Sequence, residues 1–256
     1  MKIKYFALAL ALVGVSLTSC EYDNYDAPSA EFSGRLLTAD GEPFLYDANR
    51  TLFKLYQSGF GKEDGGINMN VANDGTFKQL LFTDNDYELT LINQKLPFDM
   101  PDFPSLGDGQ GYESILYNIT GNVTRDFIVE PYYEISNLQL ALSENERNIE
   151  ATFNVTKLKD DAPDIISTKL YVSTSTIVDS GISCMRSRNV SDPTETTMTA
   201  SIPLSYYRDK QYYINNFRTY AYCRVAIELD GIPDYFLFSE IQKIENLPVT
   251  NLPELP

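Results

Sequence analysis

The chain has 256 residues, with 20 Lys and Arg against 36 Asp and Glu, and its formal net charge at pH 7 is −16. A surface this acidic repels phosphate backbones and acidic lipid headgroups, which argues against nucleic acid and direct membrane adsorption. The absence of histidine excludes Ser-His and Cys-His nucleophiles and the usual histidine-based zinc sites.

The first twenty residues have three zones. Lys2 and Lys4 form a cationic start, residues 5–17 are apolar, and the sequence LTSC ends at Cys20. The apolar zone is shorter than the ~20 residues of a membrane-spanning helix, and the layout is typical of a secretory signal. The ending resembles the lipobox of bacterial lipoproteins, which implies cleavage before Cys20 and lipid attachment to its thiol. The alternative is an ordinary signal peptide with a chance cysteine.

The residues that follow Cys20, EYDNYDAPSA, are acidic. This stretch resembles the export tag by which Bacteroidetes lipoproteins reach the outer face of the outer membrane. A solvated linker is the alternative, since acidic polar segments stay disordered. We therefore expect a lipid-anchored protein of the outer membrane that is exposed at the cell surface and contacts the membrane through its lipid only.

Period-two alternation and β-branched or aromatic runs recur from residue 30 to 244, without helical periodicity. The predicted strands are 31–38, 52–57, 68–72, 76–82, 87–92, 122–129, 135–142, 148–155, 168–173, 195–202, 219–229 and 235–244. The turn sequence Asn73-Asp74-Gly75 between two of them predicts a hairpin. The pattern indicates an all-β chain.

The alternation stops from Asn93 to Asn118, a stretch that holds three prolines. So long an insertion is usually a functional loop or a disordered one. A second break lies at Pro131. The predicted organisation is a signal peptide (1–19), a lipidated linker (20–29), two small β-sandwich domains in tandem (30–130 and 131–247) and a C-terminal tail (248–256).

Three segments of the first half, SGRLLTADGEPF, LFKLYQ and NDGTFKQLLFTDNDYELTL, are similar to carboxypeptidase-regulatory-like domains, which are transthyretin-like sandwiches. FRTYAYCRVAIELDGIPDYFLFSEIQKI resembles a fibronectin III or immunoglobulin-like domain. With the lipobox, DFIVEPYYEI and LYVSTS, the chain resembles a family of two-domain Bacteroidetes lipoproteins found beside starch-utilisation-like (polysaccharide-utilisation) outer-membrane systems. That resemblance implies glycan binding, although a β-sandwich does not by itself supply a function.

Aromatic side chains are the main functional signal, because flat rings stack on the apolar faces of sugars. The chain has no Trp but 18 Tyr and 14 Phe, and most of these fall in strands, where they are expected to form the core. The rings in loop-like contexts lie in the 93–118 insertion and in a second patch. The predicted ligand-binding residues are Phe98, Phe103, Tyr112, Asp99, Asp102 and Asp108, with an alternative tyrosine patch at Tyr206, Tyr207, Tyr212 and Tyr213.

The sequence contains only weak indications of a catalytic or metal-binding site. Carboxylate pairs such as Asp160 with Asp161 could serve a glycosidase, but 36 acidic residues produce chance pairs. Asp-rich turns could hold calcium, yet none has the spacing of a dedicated loop, so no cofactor and no metal site are predicted. Cys184 and Cys223 could form a disulfide in an exported protein or remain two buried thiols.

The sequence thus predicts a non-catalytic cell-surface lipoprotein that binds a polysaccharide or oligosaccharide in a glycan-uptake system, next to outer-membrane transporter components. The alternative is an accessory subunit that docks on such a transport complex by protein–protein contacts. The identity of the glycan is not encoded in any recognisable motif.

Replacing Cys20 with Ala should release the protein from membranes, because a soluble acidic domain has no other strong attachment to a bilayer. Fractionation of cells after a high-salt wash checks this. A variant that still sediments with membranes would contradict anchoring by lipid.

Overall fold

The structure is a computed structural model that describes residues 27–60, 62, 65–107, 111–181, 185–186, 197–204 and 219–248. Within these ranges the chain is almost entirely β-structure arranged as several sheets, so the predicted all-β fold with two tandem domains is confirmed. No helix in the described part of the chain is long and apolar enough to cross a bilayer.

The first domain is a sandwich of two four-stranded sheets and a short ribbon. The strands are β1 Ala30–Leu37, β2 Thr51–Gln57, β3 Ile67–Asn70, β4 Thr76–Leu81, β5 Asn85–Leu91, β6 Phe98–Asp99, β7 Ile115–Ile119, β8 Asn122–Thr124, β9 Phe127–Ile128 and β10 Glu130–Pro131. In one sheet β1 lies between β4 and β8, and β9 also pairs with β1. The other sheet has the order β3-β2-β5-β7, and β6 pairs with β10 in the ribbon.

The second domain is a further pair of sheets. The strands are β11 Tyr133–Leu142, β12 Asn148–Lys157, β13 Ile165–Ser173, β14 Met185–Arg186, β15 Thr197–Pro203, β16 Ala221–Leu229, β17 Phe236–Phe238 and β18 Gln242–Ile244. One sheet has the order β11-β12-β15, and the other has the order β14-β13-β16-β17, with β18 also paired to β16. β12 and β15 bury alternate side chains against the facing sheet, whereas the central strands β13 and β16 are buried along most of their length.

The predicted turn at Asn73-Asp74-Gly75 exists and closes a short antiparallel bridge, in which Val71 pairs with Phe77 and the Ala72 N–H donates to the Thr76 carbonyl (2.8 Å). β3 pairs with β2 and β4 pairs with β1, so the turn carries the chain from one sheet to the other. Gly75 has φ +80°, and a Cβ there would lie 2.5 Å from the carbonyl oxygen of Phe44. The local turn chemistry was therefore read correctly, whereas the pairing of the flanking strands depends on contacts distant in sequence.

The 93–118 insertion is not a structureless loop where it is described. Leu96, Phe98, Met100 and Phe103 are all buried in the core of the first domain, and β6 and β7 fall inside the segment. The Phe103 ring stacks on Phe53 with a centroid separation of 6.1 Å. The segment completes the sandwich, and its prolines only interrupt the regular alternation.

The two domains share one continuous apolar core, and Arg224 of β16 is fully buried between them. Its Nε donates to the carbonyl oxygen of Ser239 (2.8 Å), and its Nη1 donates to those of Tyr46 (3.1 Å) and Val178 (3.2 Å). The guanidinium carbon also lies 4.1 Å from the centre of the Phe238 ring. The Arg224 side chain thus links Tyr46 of the first domain to the segments of the second domain that contain Val178 and Ser239.

Buried carboxylates accompany this arginine. Burial lowers the pKa of Arg224 to about 9, and the charges of Asp47 and Asp179 oppose that shift. Asp47 is itself buried, and its Oδ1 accepts from the backbone N–H of Ser180 across the domain boundary (3.3 Å). Arg224 therefore stays charged at neutral pH inside a cluster contributed by both domains.

Replacing Phe103 with Ala should lower the free energy of unfolding by about 3–5 kcal/mol, the usual cost of truncating a buried phenylalanine. Urea unfolding measures the loss. The matched control is Phe60→Ala, since the Phe60 side chain is 65% exposed and should contribute little. Equal stability of the two variants would show that the Phe103 ring is not a core residue.

Replacing Arg224 with Met should cost about 3–5 kcal/mol of unfolding free energy, because it leaves buried carboxylates and carbonyls without their partner. We expect a second effect in calorimetry, where the single transition should separate toward two as the domains lose their shared contact. Arg35→Met is the control, because the Arg35–Asp126 pair (2.8 Å) is exposed and surface pairs contribute little. An Arg224→Met variant as stable as the control would refute the interdomain role.

Candidate ligand-binding site at the domain junction

A cavity of about 450 Å³ opens between the two domains. The first domain lines it with residues of the 93–118 segment, and the second lines it with the loops around Asp161 and Asp230. The residues that define its chemistry are Gln94, Asp99, Tyr112, Tyr132, Asp161 and Asp230. Interdomain clefts are preferred ligand sites because two walls can enclose a molecule.

The β6–β10 ribbon sets the position of the central carboxylate. Asp99 of β6 lies opposite Glu130 of β10, and Phe98 lies opposite Pro131. Phe98 is buried against Phe44, with ring centroids 4.9 Å apart in an edge-to-face contact. Because Phe98 points into the core, the pleat of the strand directs its neighbour Asp99 toward the cavity.

Asp99 organises two tyrosine hydroxyls and one lysine. Tyr112 and Tyr132 both donate to Oδ1 of Asp99, at 3.2 and 3.1 Å. Lys159 donates to Oδ2 of Asp99 and, at 2.7 Å, to Glu130. The ring of Tyr132 also lies under the Lys159 ammonium, 5.9 Å from it. Residues from both domains are thereby held in one hydrogen-bonded network on the cavity wall.

The protonation states of this network follow from burial and charge. Burial, with the negative charge of Asp99, raises the pKa of both Tyr112 and Tyr132. Burial lowers the pKa of Lys159, but its bonds to Asp99 and Glu130 outweigh that effect and raise it overall. The two phenols therefore remain neutral donors, and Lys159 remains charged, throughout the physiological range.

A second anchor fixes the Tyr112 segment. Oε1 of Gln94 accepts from the backbone N–H of Tyr112 (2.6 Å), and its Nε2 donates to the carbonyl of Leu91 (3.2 Å). The preceding Gly111 has φ +105°, and a Cβ there would lie 2.1 Å from Oε1 of Gln94. The close approach therefore requires glycine, and the rings of the cavity wall are held in place before any ligand arrives.

The cavity combines half-buried rings with polar groups at its mouth. Tyr112 and Tyr132 are half-buried, and the buried Ile232 also lines the cavity. Asp161, Asp230 and the Lys95 side chain are exposed at the rim. A tyrosine offers an apolar ring body with a polar tip, and a carboxylate accepts several hydrogen bonds. The arrangement can hold a small polyhydroxylated molecule.

The predicted ligand residues divide into three groups. Tyr112 and Asp99 lie in the cavity wall, close together as expected. Phe98 and Phe103 are 1% and 2% exposed, so neither ring can stack on a ligand, and that assignment is corrected. Asp102 is committed to the fold, since its Oδ2 accepts from the N–H of Ile128 (2.7 Å) and Arg125 lies 3.6 Å from its Oδ1.

Several predicted positions lie outside the described residues. They are Cys20, Asp108, Cys184 and the tyrosine patch of Tyr206, Tyr207, Tyr212 and Tyr213. Cys223 is described as a free, buried cysteine, and burial raises its pKa to about 12. That observation favours the buried-thiol alternative, and such a thiol is unreactive.

Sequence reasoning missed Tyr132, Lys159 and Asp230, and it named Asp161 only as one of a chance carboxylate pair with Asp160. Tyr132 lies next to Pro131, which predicts only a break, and the other three lie in the connections between strands of the second domain. No periodic signal marks these positions, because a junction forms only when two folded domains meet.

In the described part of the chain, no group of three or more Cys, Asp and Glu side chains is placed to hold a metal ion.

Two family models together match most of the chain. The "Protein of unknown function (DUF3823) N-terminal domain" matches residues 30–130, and the "Domain of unknown function (DUF3823_C)" matches residues 133–243. No curated protein matches the chain.

Solved structures from Parabacteroides and Bacteroides species match this chain across both domains. A DUF3823 family protein from Parabacteroides merdae is 25% identical, with a TM-score of 0.64 over 86% of this chain and 100% of that one. Another from Bacteroides ovatus is 24% identical, with a TM-score of 0.59 over 85% and 99%. A protein from Bacteroides uniformis named as a candidate carbohydrate-binding protein is 16% identical, with a TM-score of 0.63 over 86% and 100%. With both domain models matched in order, this chain belongs to the DUF3823 family.

Proposed function

We propose that this protein binds a glycan in the junction cavity and performs no chemistry on it. The observation that carries the proposal is the pair of tyrosines, Tyr112 and Tyr132, whose hydroxyls are fixed on Asp99 in a cleft rimmed by exposed carboxylates. Sugars present apolar C–H faces and a ring of hydroxyls, and this wall offers a matching partner for each. The name of the Bacteroides uniformis relative points in the same direction.

The charge of the cavity indicates which glycans fit. Asp99, Asp161 and Asp230 contribute negative charge against the single Lys95 ammonium at the rim, and Lys159 is already bound to Asp99 and Glu130. Uronic acids and sulfated sugars would be repelled, especially by a protein of net charge −16. The proposed ligand is therefore a neutral or amino sugar.

A binding role suits the geometry of the carboxylates better than hydrolysis does. Both oxygens of Asp99 are engaged by tyrosine hydroxyls and by Lys159. A general acid must carry a transferable proton, and a nucleophile needs a free lone pair toward the substrate. Asp99 in this state serves as a positioning residue, which agrees with a non-catalytic role.

The predicted location completes the proposal. A lipid on Cys20 would hold the two domains at the outer face of the outer membrane, where the junction cavity can meet extracellular polysaccharide. An outer-membrane glycan transporter would then receive the captured chain.

A second candidate function is that of an accessory subunit of the transport complex. It is favoured by Leu80 and Phe82 at the end of β4, which are 50% and 68% exposed. β4 lies at the edge of its sheet, and an exposed apolar edge strand is a natural place for another chain to pair.

Affinity gel electrophoresis tests the glycan proposal, with soluble starch, xyloglucan, galactomannan, arabinoxylan and mucin glycans as probes. The wild-type protein should be retarded by at least one neutral polysaccharide. The double variant Asp161→Ala/Asp230→Ala should migrate as in a glycan-free gel, because the rim loses its hydroxyl acceptors. Its melting temperature should be unchanged, since both side chains are exposed.

Asp160→Ala is the matched control: it removes the same charge from the neighbouring exposed residue, which does not line the cavity. This variant should be retarded like the wild type. Retardation that persists in the double variant would place the ligand elsewhere. Indifference of the wild type to every probe, with co-purification of an outer-membrane partner, would favour the accessory-subunit function instead.

A further inference from the structure

A second cavity, of about 520 Å³, lies on the outer face of the β3-β2-β5-β7 sheet. Gln94 lines both this cavity and the junction cavity. Its amide is fixed by Tyr112 on one side and by the Leu91 carbonyl on the other. The two cavities are therefore neighbours, separated by one immobilised side chain.

The strand register arranges polar side chains in a row across this face. Lys54 of β2 lies opposite Asn68 of β3 and opposite Thr90 of β5. The hydroxyl of Thr90 is buried and has no hydrogen-bond partner among the described residues. Because that hydroxyl is shielded from the surface, the groups of this row that a ligand can reach are the exposed Asn68 amide and the half-buried Lys54.

An aromatic ring lies in the next row. Tyr56 is opposite Glu88, and it projects to the same face as Lys54 because the two are separated by one residue. The ring is half-buried, and the ammonium groups of Lys54 and Lys62 lie 5.4 and 5.5 Å from its centre. Lys62 is also bound to Glu88 at 2.5 Å. The ring is thus held in a defined orientation at the far end of the cavity.

An apolar side chain also lies on the junction side of the polar row. Ile92, at the end of β5, is 44% exposed and lines the cavity between the polar row and Gln94. The register places Ile92 and Tyr56 on opposite sides of the row of Lys54, Asn68 and Thr90, so an apolar group lies at each end of a polar row. This combination repeats the chemistry of the junction cavity on a flatter surface, which suits an extended chain better than a single sugar unit.

We propose that the bound glycan runs from the junction cavity over Gln94 onto this sheet face. There one sugar unit stacks on Tyr56, and its neighbours exchange hydrogen bonds with Asn68 and Lys54. The ligand is then an internal stretch of a long neutral polysaccharide, and affinity grows with chain length until both cavities are filled. This inference rests on the proposed function of the junction cavity.

Titration calorimetry tests the extension, with a disaccharide and longer oligosaccharides prepared from whichever polysaccharide retards the wild type. Tyr56→Ala should raise the Kd for the longer oligosaccharides about tenfold, equivalent to about 1.4 kcal/mol, and leave the Kd for the disaccharide unchanged. Tyr56→Phe should retain wild-type affinity, because the ring is kept. Asn68→Ala, at an exposed position, should also weaken only the longer ligands, and it serves if Tyr56→Ala folds poorly.

Tyr220→Ala is the control, since Tyr220 is a half-buried tyrosine that lines neither cavity. Undiminished affinity of Tyr56→Ala and Asn68→Ala for long ligands, with loss in Asp161→Ala/Asp230→Ala, would overturn the extension and leave the junction site intact. Equal weakening of short and long ligands by Tyr56→Ala would also overturn it. A wild type that binds none of the oligosaccharides would overturn both proposals.

Discussion

The buried guanidinium of Arg224 is the contact on which the arrangement of the two domains depends. Burying a charged group is costly unless it is hydrogen-bonded. Nε and Nη1 of Arg224 find acceptors on the carbonyls of Tyr46, Val178 and Ser239, whereas its Nη2 has no hydrogen-bond partner among the described residues. Two of these carbonyls belong to the second domain and one to the first. The domains can therefore separate only if a buried charge loses a partner, which makes the junction a defined surface rather than a flexible linker.

The shape of the cavity depends on the fixed arrangement of the two domains. Near Arg224, Tyr235 donates to the Thr51 carbonyl (3.1 Å) and Arg50 pairs with Asp234 (3.2 Å). On the cavity wall, Lys159 of the second domain reaches Asp99 and Glu130 of the first. Two sets of polar contacts thus hold the walls of the cavity apart at a fixed distance. A preformed site spares a ligand the entropic cost of ordering it.

The 93–118 segment shows why the site could be predicted only in part. Tyr112 and Asp99 were assigned to it from residue type and loop-like context, and both line the cavity. Phe98 had the same context but fills the core with Leu96 and Met100, at a spacing of two that Pro97 obscured, and Phe103 fills the core from the turn that follows. In an irregular segment, the local sequence does not indicate whether an aromatic ring is exposed to solvent or packs against the opposite sheet.

Sequence alone determined the properties that depend on local chemistry. The alternation of apolar and polar residues predicted the all-β class and most strands, and the turn residues predicted the chain reversal at Gly75. The absence of histidine excluded histidine-dependent nucleophiles and histidine-based zinc sites. Only the tertiary structure decided that β3 and β4 join different sheets, that Arg224 is buried between domains, and that Tyr132, Lys159 and Asp99 meet. The physical reason is that burial and pairing of polar groups depend on partners far apart in the chain, whereas strand and turn preferences are set by neighbouring residues.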